Sequence, residues 1–339
     1  MKIAFFSDIH IGIHKNDVDW YKVALKWCVW FKQLLIEQKI DKVIFCGDFF
    51  HRRDVINVQT LNIGKKILDT ISDVVPVEML IGNHDCYYDD KTDVNSASPW
   101  KSNNINVHEK LNIKNIDGLN FVFAPWGTDM YNLPKGDVLI AHCELNNFRL
   151  NSGRVSDCKL EANTILDHIP LAFIGHIHIR SERTYPNGGK IIYVGNPFEQ
   201  DYNDENNIKG VYVLDTNTKN INFIENKISP RHKKIYASKF NNKDIDELKN
   251  TIVKLVVDKQ INDDELTKIK TTLNTSSPFK VMDTDYIDQY ENVQTVDGDY
   301  DISNGNIEQF IVEFIDKLDI KFKDIIIEKT LNSYNKYTA

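Results

Sequence analysis

The sequence predicts an α/β fold in which a largely parallel sheet is covered by helices. Short apolar runs typical of buried strands alternate with longer stretches of helical periodicity over the first 80 residues. Five apolar runs along the chain end in Asp, Asn or His. Open α/β sheets bind ligands at the carboxyl ends of their strands, so the pattern predicts both the fold and a functional site at one sheet edge.

Two helices and three strands account for the first part of the chain. A helix is predicted from Val18 to Lys39, where Val23, Trp27, Phe31 and Leu34 recur at helical spacing. A second helix is predicted from about Asn57 to Ile71, before Pro76 and a further strand. The β-α-β-α-β order implies parallel strands. Three later strands are expected to continue this sheet: Phe121 to Ala124, Asp137 to Ala141 and Leu171 to Ile174.

After residue 178 the apolar pattern becomes short and alternating, which predicts antiparallel hairpins closing the back of the domain. These runs are Arg180 to Tyr185, Lys190 to Val194, Val211 to Asp215, Asn220 to Ile224 and Lys234 to Ala237. The Lys-rich segment that follows predicts helices near Ile245 to Val257 and Asp263 to Leu273. We interpret this segment as a small second domain.

The C-terminal part combines an acidic stretch with two amphipathic segments. Seven acids and no Lys or Arg lie between Val281 and Asn306, which indicates a linker. Ile307 to Leu318 and Lys323 to Lys336 follow with helical periodicity. Two short helices cannot bury their apolar faces on each other alone, so they either dock on a partner or fold back on their own domain.

The runs that end in polar residues supply a set of metal-type ligands. Each residue alone has a structural interpretation, as a hydrogen-bonded core histidine, a turn former or a helix cap. Five such strand ends together indicate a metal site. The seven candidate ligands are Asp8, His10, Asp48, Asn83, His142, His176 and His178.

The ligand types indicate the chemistry. Carboxylate, amide and imidazole ligands suit borderline divalent ions such as manganese or iron, and the absence of Cys among the candidate ligands argues against structural zinc. Seven ligands exceed the needs of one ion, but two ions bridged by one carboxylate would use them all. Paired ions activate water for phosphate-ester hydrolysis. His84, beside Asn83, is a candidate general acid for the departing oxygen.

Composition restricts the cellular compartment and the class of ligand. The five cysteines form no CxxC pair, which favours a reducing cytoplasm, that of the host if a phage encodes the chain. No apolar run is long enough to cross a membrane or to serve as a signal peptide. The net charge of −8 falls to −1 without the seven clustered acids. A local basic surface for nucleic acid is therefore compatible with the total charge.

The phrases Asp8-x-His10, Gly47-Asp48, Gly82-Asn83-His84-Asp85, His142 and Gly175-His176-x-His178 resemble the motif set of the calcineurin-like metallophosphoesterases. This resemblance implies a β-sandwich flanked by helices, with a small α+β capping domain and C-terminal helices. It also implies that Asp8, His10, Asp48 and His178 hold one ion, while Asp48, Asn83, His142 and His176 hold the other.

The fuller phrases Asp8-Ile9-His10-Ile11-Gly12 and Gly47-Asp48-Phe49-Phe50-His51 are similar to those of the DNA-repair nucleases of this superfamily. These nucleases include SbcD-type subunits, the meiotic-recombination nuclease of eukaryotes and recombination endonuclease subunits of T-even phages. The phosphatases of the superfamily carry Gly-Asp-x-Val-Asp-Arg-Gly instead, from which Phe50-His51-Arg52 departs.

The nuclease resemblance implies manganese-dependent cutting of single strands and of duplex ends, with His51 positioning the scissile phosphate. It implies a nuclease domain over 1–238, a capping domain over 239–275, the acidic linker over 276–303 and a helical motif over 304–339. That motif would bind an SbcC-type ABC ATPase through Phe310, Ile311, Phe314 and Leu318. A homodimer, formed by helices between Asn57 and Trp100, would make a heterotetramer with the ATPase.

Three alternatives stay open at this point. Arg52 and Arg53 either contact the DNA backbone or are simply solvated. The same metal site would serve a small-molecule or cyclic-nucleotide phosphodiesterase, which needs no terminal docking helices. A scaffold with a decayed site that only recruits the ATPase is the third interpretation, and the seven filled ligand positions speak against it.

Overall fold

A computed structural model describes residues 1–286 except 90, 151–152, 242–244 and 246, and also residues 311–312, 315–316, 323 and 326–331. Its contacts divide the chain into two units, Met1–Ile287 and Asp288–Ala339. Within the described residues, the first unit contains two six-stranded sheets and a smaller third sheet.

The first sheet has the strand order β12-β11-β1-β2-β3-β4. Its strands are β1 (Lys2–Phe6), β2 (Lys42–Phe45), β3 (Val77–Leu80), β4 (Ile105–His108), β11 (Gly210–Asp215) and β12 (Ile221–Glu225). Strands β1 to β4 are parallel, and β11 and β12 join as an antiparallel edge. This agrees with the predicted β-α-β-α-β order.

The second sheet has the order β5-β6-β7-β8-β10-β9. Its strands are β5 (Asn112–Ile116), β6 (Leu119–Ala124), β7 (Val138–His142), β8 (Leu171–Gly175), β9 (Ser181–Thr184) and β10 (Lys190–Tyr193). The prediction that β6, β7 and β8 continue the first sheet was therefore wrong. Strands buried on both faces are apolar throughout, and that pattern cannot indicate which sheet they join.

The two sheets pack face to face with helices outside them. The rings of Phe5 from β1 and Phe173 from β8 stack with centroids 3.9 Å apart in the shared core. Helices α2 (Val18–Glu37) and α3 (Val58–Ser72) cover the outer face of the first sheet, and α4 (Ala162–Leu166) packs on the second. The architecture confirms the β-sandwich flanked by helices.

Helix α2 follows its predicted pattern closely. The Asp17 carboxylate caps it by accepting a hydrogen bond from the Asp19 backbone N–H at 2.8 Å. The predicted apolar stripe, Val23, Trp27, Phe31 and Leu34, is buried against the sheet. A short helical turn, α1 (Ile13–Asn16), precedes it, with positive φ angles inside the turn.

The third sheet corrects two predictions. It contains β13 (Arg231–Tyr236), β14 (Thr251–Val257), β15 (Lys280–Val281) and β16 (Asp285–Tyr286), with β13 and β14 parallel. Residues 251–257 thus form a strand where a helix was predicted, and Lys234 to Ala237 does not form an antiparallel hairpin. The β-branched residues Ile252, Val253, Val256 and Val257 favour a strand. Helix α5 (Asp263–Thr275) confirms the second predicted helix of this segment.

The division into domains stays a prediction. Strands of the third sheet lie on both sides of the 239–275 span that the resemblance implies for a capping domain. Among residues 311 to 331, every described residue is helical, including Ile311. Phe310, Phe314, Leu318 and the acidic linker from residue 287 onward lie outside the described residues. Within the described part, no helix has both the length and the apolar character needed to cross a bilayer.

Candidate metal centre

Strand ends from both sheets meet at one edge of the sandwich. Strands β1, β2 and β3 of the first sheet lead into Asp8 and His10, Asp48, and Asn83 respectively. In the second sheet, β7 ends at His142 and β8 leads directly into His176. Parallel strands put their carboxyl ends on the same side, so the topology brings distant segments together.

The backbone turns sharply at these strand ends. Asp8, His10, Asp48 and His176 have φ angles of 51°, 47°, 65° and 87°, a region that non-glycine residues rarely adopt. A side chain at Gly82 would collide with the Asp48 carboxylate and the His142 ring. Such strain concentrates at functional sites, where surrounding contacts enforce it.

One group of predicted ligands comprises Asp8, His10 and His178, whose ligand atoms all lie within 4.8 Å of one another. The Nε2 atoms of His10 and His178 are 3.0 Å apart. His10 is buried, and its Nδ1 has no hydrogen-bond partner among the described residues. Two imidazole nitrogens that face each other beside a carboxylate form an arrangement suited to a shared cation.

A second group forms around Asn83. Its Oδ1 lies 3.0 Å from His142 Nε2 and 2.9 Å from His176 Nδ1. Asp48 connects the two groups, because its Oδ2 lies 3.3 Å from His142 Nε2 and 3.6 Å from His10 Nε2. The structure therefore brings all seven predicted ligands together, with Asp48 between the two groups.

The acceptor atoms around His142 require a positive charge, which is either a proton on the ring or a bound cation. His142 Nδ1 lies 2.8 Å from the Cys46 carbonyl oxygen, which can only accept, so Nδ1 carries a proton. In the neutral ring, Nε2 is then an acceptor that faces two further acceptors, Asn83 Oδ1 and Asp48 Oδ2. Burial lowers the pKa of His142, but Asp48 reverses this effect and raises it to about 9. A divalent cation fits this cluster of acceptors in place of the proton.

Burial and neighbouring charges shift the pKa values of the other candidate ligands in different directions. Burial lowers the pKa of His10 well below its usual value and, with His142, that of His176 to about 3, so both rings are neutral and able to bind a cation. Burial alone would raise the pKa of Asp48, yet His142 lowers it and keeps the carboxylate ionised. Burial raises the pKa of Asp8.

His84 and His51 lie beside this centre. The ring nitrogens of His10, His51 and His84 come within 4.8 Å of one another. His84 Nδ1 lies 2.5 Å from the His51 carbonyl oxygen and must donate to it, which leaves Nε2 as the ring nitrogen that this carbonyl does not engage. Burial and the His84 charge lower the pKa of His51 to about 4.

Asp85 has a structural role that sequence reasoning missed. This buried carboxylate accepts backbone hydrogen bonds from Asp48 at 2.8 Å, Phe49 at 2.9 Å and Gly82 at 3.0 Å. It thereby fixes the loop after β2 against the loop after β3. Its place beside Asn83 and His84 in one phrase was the available signal.

A buried charged network supports the other side of the centre, and it too was missed. Lys209 Nζ donates to the His178 carbonyl at 2.7 Å and to Asp204 at 2.6 Å. The Asp204 carboxylate accepts from the Gln200 backbone N–H at 2.8 Å, and Gln200 Nε2 donates to the Asp8 carbonyl at 2.7 Å. No sequence pattern identifies this network, because its members meet only in the folded chain.

The two arginines considered for DNA contact lie in exposed ion pairs. Arg52 forms a bidentate pair with Asp54, with distances of 3.1 and 2.7 Å. Arg53 pairs with Asp89. Exposed pairs of this kind are weak.

Residues 1–180 match the family model of the calcineurin-like phosphoesterases, and the chain belongs to this family. It is therefore a metal-dependent phosphoesterase, and the family uses a dimetal centre. The chain is 26% identical over 300 residues to exonuclease subunit 1 of Enterobacteria phage T4, covering 82% of this chain and 84% of that protein.

Two solved structures are also similar. A novel archaeal phosphodiesterase matches 67% of this chain over its whole length, with 14% identity and a TM-score of 0.38. A dimetal phosphatase from Danio rerio covers 63% of this chain and 91% of its own, with 11% identity and a TM-score of 0.38.

Proposed function

We propose that the chain is a two-metal DNA nuclease that cuts single strands internally and degrades duplex ends. The observation that carries this proposal is the convergence of the seven candidate ligands at one sheet edge, with Asp48 between their two groups and His84 beside them. The similar phage protein is named an exonuclease subunit, which supports both DNA as the substrate and a partner protein.

In this proposal, Asp8, His10, Asp48 and His178 hold one ion, and Asp48, Asn83, His142 and His176 hold the other. Manganese suits this mixture of oxygen and nitrogen ligands. The bound ions would activate a water molecule and stabilise charge on the phosphate oxygens. The Cys46 carbonyl accepts a hydrogen bond from the His142 Nδ1–H, so Nε2 is the nitrogen that would bind the ion.

His84 is the proposed general acid. Its Nδ1 proton is held by the His51 carbonyl, so proton transfer to the departing oxygen occurs from Nε2. His51 is neutral at physiological pH because its pKa is about 4, so it acts as a hydrogen-bonding group that positions the phosphate. Arg52 and Arg53 would exchange their exposed carboxylate partners for DNA phosphates.

We also propose that the chain works with an SbcC-type ABC ATPase in double-strand-break processing and recombination. The ATPase would bind the C-terminal helical segment through Phe310, Ile311, Phe314 and Leu318. A homodimer of nuclease subunits would form through the helical region between Asn57 and Trp100, and exposed apolar side chains support it. Val58 is 75% exposed and Leu61 is 44% exposed on α3.

The test is cleavage of labelled single-stranded and duplex DNA by the purified chain with manganese. Asp8→Ala and His84→Ala should each lower the cleavage rate at least about 100-fold. His168→Ala, which changes an exposed histidine away from the centre, is the matched control and should cut like the wild type. Efficient hydrolysis of a cyclic nucleotide, with neither DNA cut, would contradict the proposal.

A further inference from the structure

Trp126 lies directly against the metal centre. It follows β6, and its ring centroid is 5.1 Å from that of His176 and 6.1 Å from that of His142. The indole Nε1 donates to the Asp89 carbonyl oxygen at 3.1 Å, which fixes the orientation of the ring. Trp126 is neither one of the candidate metal ligands nor the proposed general acid.

A cavity of about 370 Å³ opens beside this ring and is lined by both Trp126 and His142. Pro125, Met130 and Tyr131 also line it, so most of its wall is apolar or aromatic. Tyr131 is 59% exposed, and its hydroxyl donates to the Lys159 carbonyl at 3.3 Å. The cavity is therefore continuous with the metal centre and offers flat surfaces for stacking.

The charges around this cavity restrict the chemical class of ligand that it fits. Asp89, Asp129 and Glu144 line it. Asp89 is paired with Arg53, which is not a lining residue, and the described lining residues themselves include no Lys or Arg. Carboxylates repel a phosphate but accept hydrogen bonds from the ring and amino N–H groups of nucleobases. An aromatic wall with carboxylate acceptors is suited to a base rather than to the sugar-phosphate backbone.

We propose that Trp126 and this cavity bind an unstacked nucleobase next to the scissile phosphate; this inference rests on the proposed nuclease function. A base against Trp126 lies within one nucleotide of the metal ligands His142 and His176, given the ring distances of 5.1 and 6.1 Å. Single strands present such a base freely, whereas a duplex must first be opened. The site therefore favours single-stranded DNA and frayed ends.

The test compares KM and kcat of Trp126→Leu, Trp126→Phe and the wild type on two single strands of equal length. One strand carries normal bases and the other carries stable tetrahydrofuran abasic residues throughout. Loss of base stacking in Trp126→Leu should raise KM for the normal strand about 10-fold or more, while Trp126→Phe stays within about 3-fold of the wild type. Cleavage of the abasic strand should be the same for all three proteins.

Trp30→Leu is the control and should have the wild-type KM on both strands. It removes a half-buried tryptophan of α2 that does not line the cavity. An unchanged KM for Trp126→Leu on the normal strand would overturn the base site while the nuclease proposal stands. An equal loss on both strands would also overturn it, because Trp126 would then act through the metal centre. A wild type that cuts no DNA would overturn both proposals.

Discussion

The Asp85 carboxylate accepts a hydrogen bond of 2.8 Å from the backbone N–H of Asp48, the residue that lies between the two groups of candidate ligands. Asp48 has a φ of 65°, so its conformation is unfavourable unless other contacts hold it. Asp85 supplies that contact and ties Gly82 to the same carboxylate at 3.0 Å. The conformation at the end of β2 thus depends on a residue that follows β3.

Asp85→Asn is expected to weaken manganese binding and to destabilise the fold. The amide has one acceptor oxygen, so at least one buried backbone N–H loses its partner, at a cost of about 2 kcal/mol. Residues that orient metal ligands typically change metal affinity about 10- to 100-fold. Calorimetric titration with manganese and thermal unfolding measure the two effects.

Asp69→Asn is the control for this variant, because Asp69 lies on α3 in an exposed pair with Lys65. It should leave both measurements near those of the wild type. A manganese affinity of Asp85→Asn equal to that of the wild type would show that the loop holds its shape without this carboxylate.

The site residues were predictable where a residue of metal-ligand type directly follows an apolar run. His176 and His178 follow β8, and Asp48 follows β2, so the strand pattern and the residue types were both visible in sequence. The supporting residues were not visible. Lys209 reads as an ordinary surface lysine, and only the fold shows that it is buried against the His178 carbonyl at 2.7 Å.

The fold was predictable in most of its elements but not in the pairing of its strands. Helices α2 and α3 matched their periodicity, because each has one buried face. The assignment of β6, β7 and β8 to the first sheet failed, because runs buried on both faces carry no register information. Strand β14 was mistaken for a helix because six of its seven residues are buried, so its sequence lacks the alternation that marks a half-exposed strand.

Glu78→Gln is expected to destabilise the protein by about 3 kcal/mol at pH 7, because it breaks a buried ionic network. Glu78 is 2% exposed, and its carboxylate accepts from Lys42 at 2.9 Å and Lys114 at 2.7 Å. Asn106 and His108 contact its second oxygen at 2.9 and 2.8 Å. Urea unfolding of the two proteins measures the difference.

The effect of Glu78 depends on pH in a defined direction. Burial would raise its pKa, but the hydrogen bonds from His108 and Lys114 lower it well below the usual 4.5. The unfolded chain therefore takes up a proton first, and the stabilisation present above pH 4.5 is lost progressively below it. The stability gap between wild type and Glu78→Gln should narrow as the pH falls below 4.5. A gap that is constant down to pH 3 would contradict this.

Lys209→Met is expected to cost about 3 kcal/mol of stability and to weaken manganese binding. The substitution leaves the buried Asp204 carboxylate without its cation and removes the donor to the His178 carbonyl. The double variant Lys209→Met/Asp204→Asn should recover part of the stability, because no uncompensated charge remains. It should not recover the manganese affinity, because the contact to His178 is still missing. Chemical unfolding and calorimetry measure both.

The C-terminal segment provides a test of the ATPase proposal. Phe310→Asp with Phe314→Asp should abolish co-purification with an SbcC-type ATPase, because charges on the apolar face that the sequence predicts would prevent docking. Cleavage of single-stranded DNA by the isolated subunit should be unaffected. Tyr286→Asp, at a side chain that is 58% exposed in β16, is the matched control. Unchanged association of the double variant would remove the proposed docking site.

Manganese affinity is expected to rise with pH up to about 9, because the ion competes with a proton on His142. Without metal, Asp48 raises the pKa of His142 to about 9, so this ring is protonated at neutral pH. His10 and His176 are already neutral, since burial lowers their pKa values. Binding therefore releases one proton from His142, and affinity should increase about tenfold per pH unit between pH 7 and 9.

Calorimetric titrations in buffers of different ionisation enthalpy count the released protons directly. His142→Gln removes the titrating ring, so its weaker manganese binding should vary less with pH than that of the wild type. Chelation of manganese should lower the thermal unfolding temperature of the wild type, because the ion binds only the folded chain. A wild-type affinity that does not change between pH 7 and 9 would mean that His142 does not yield a proton to the metal, and its assignment as a ligand would fail.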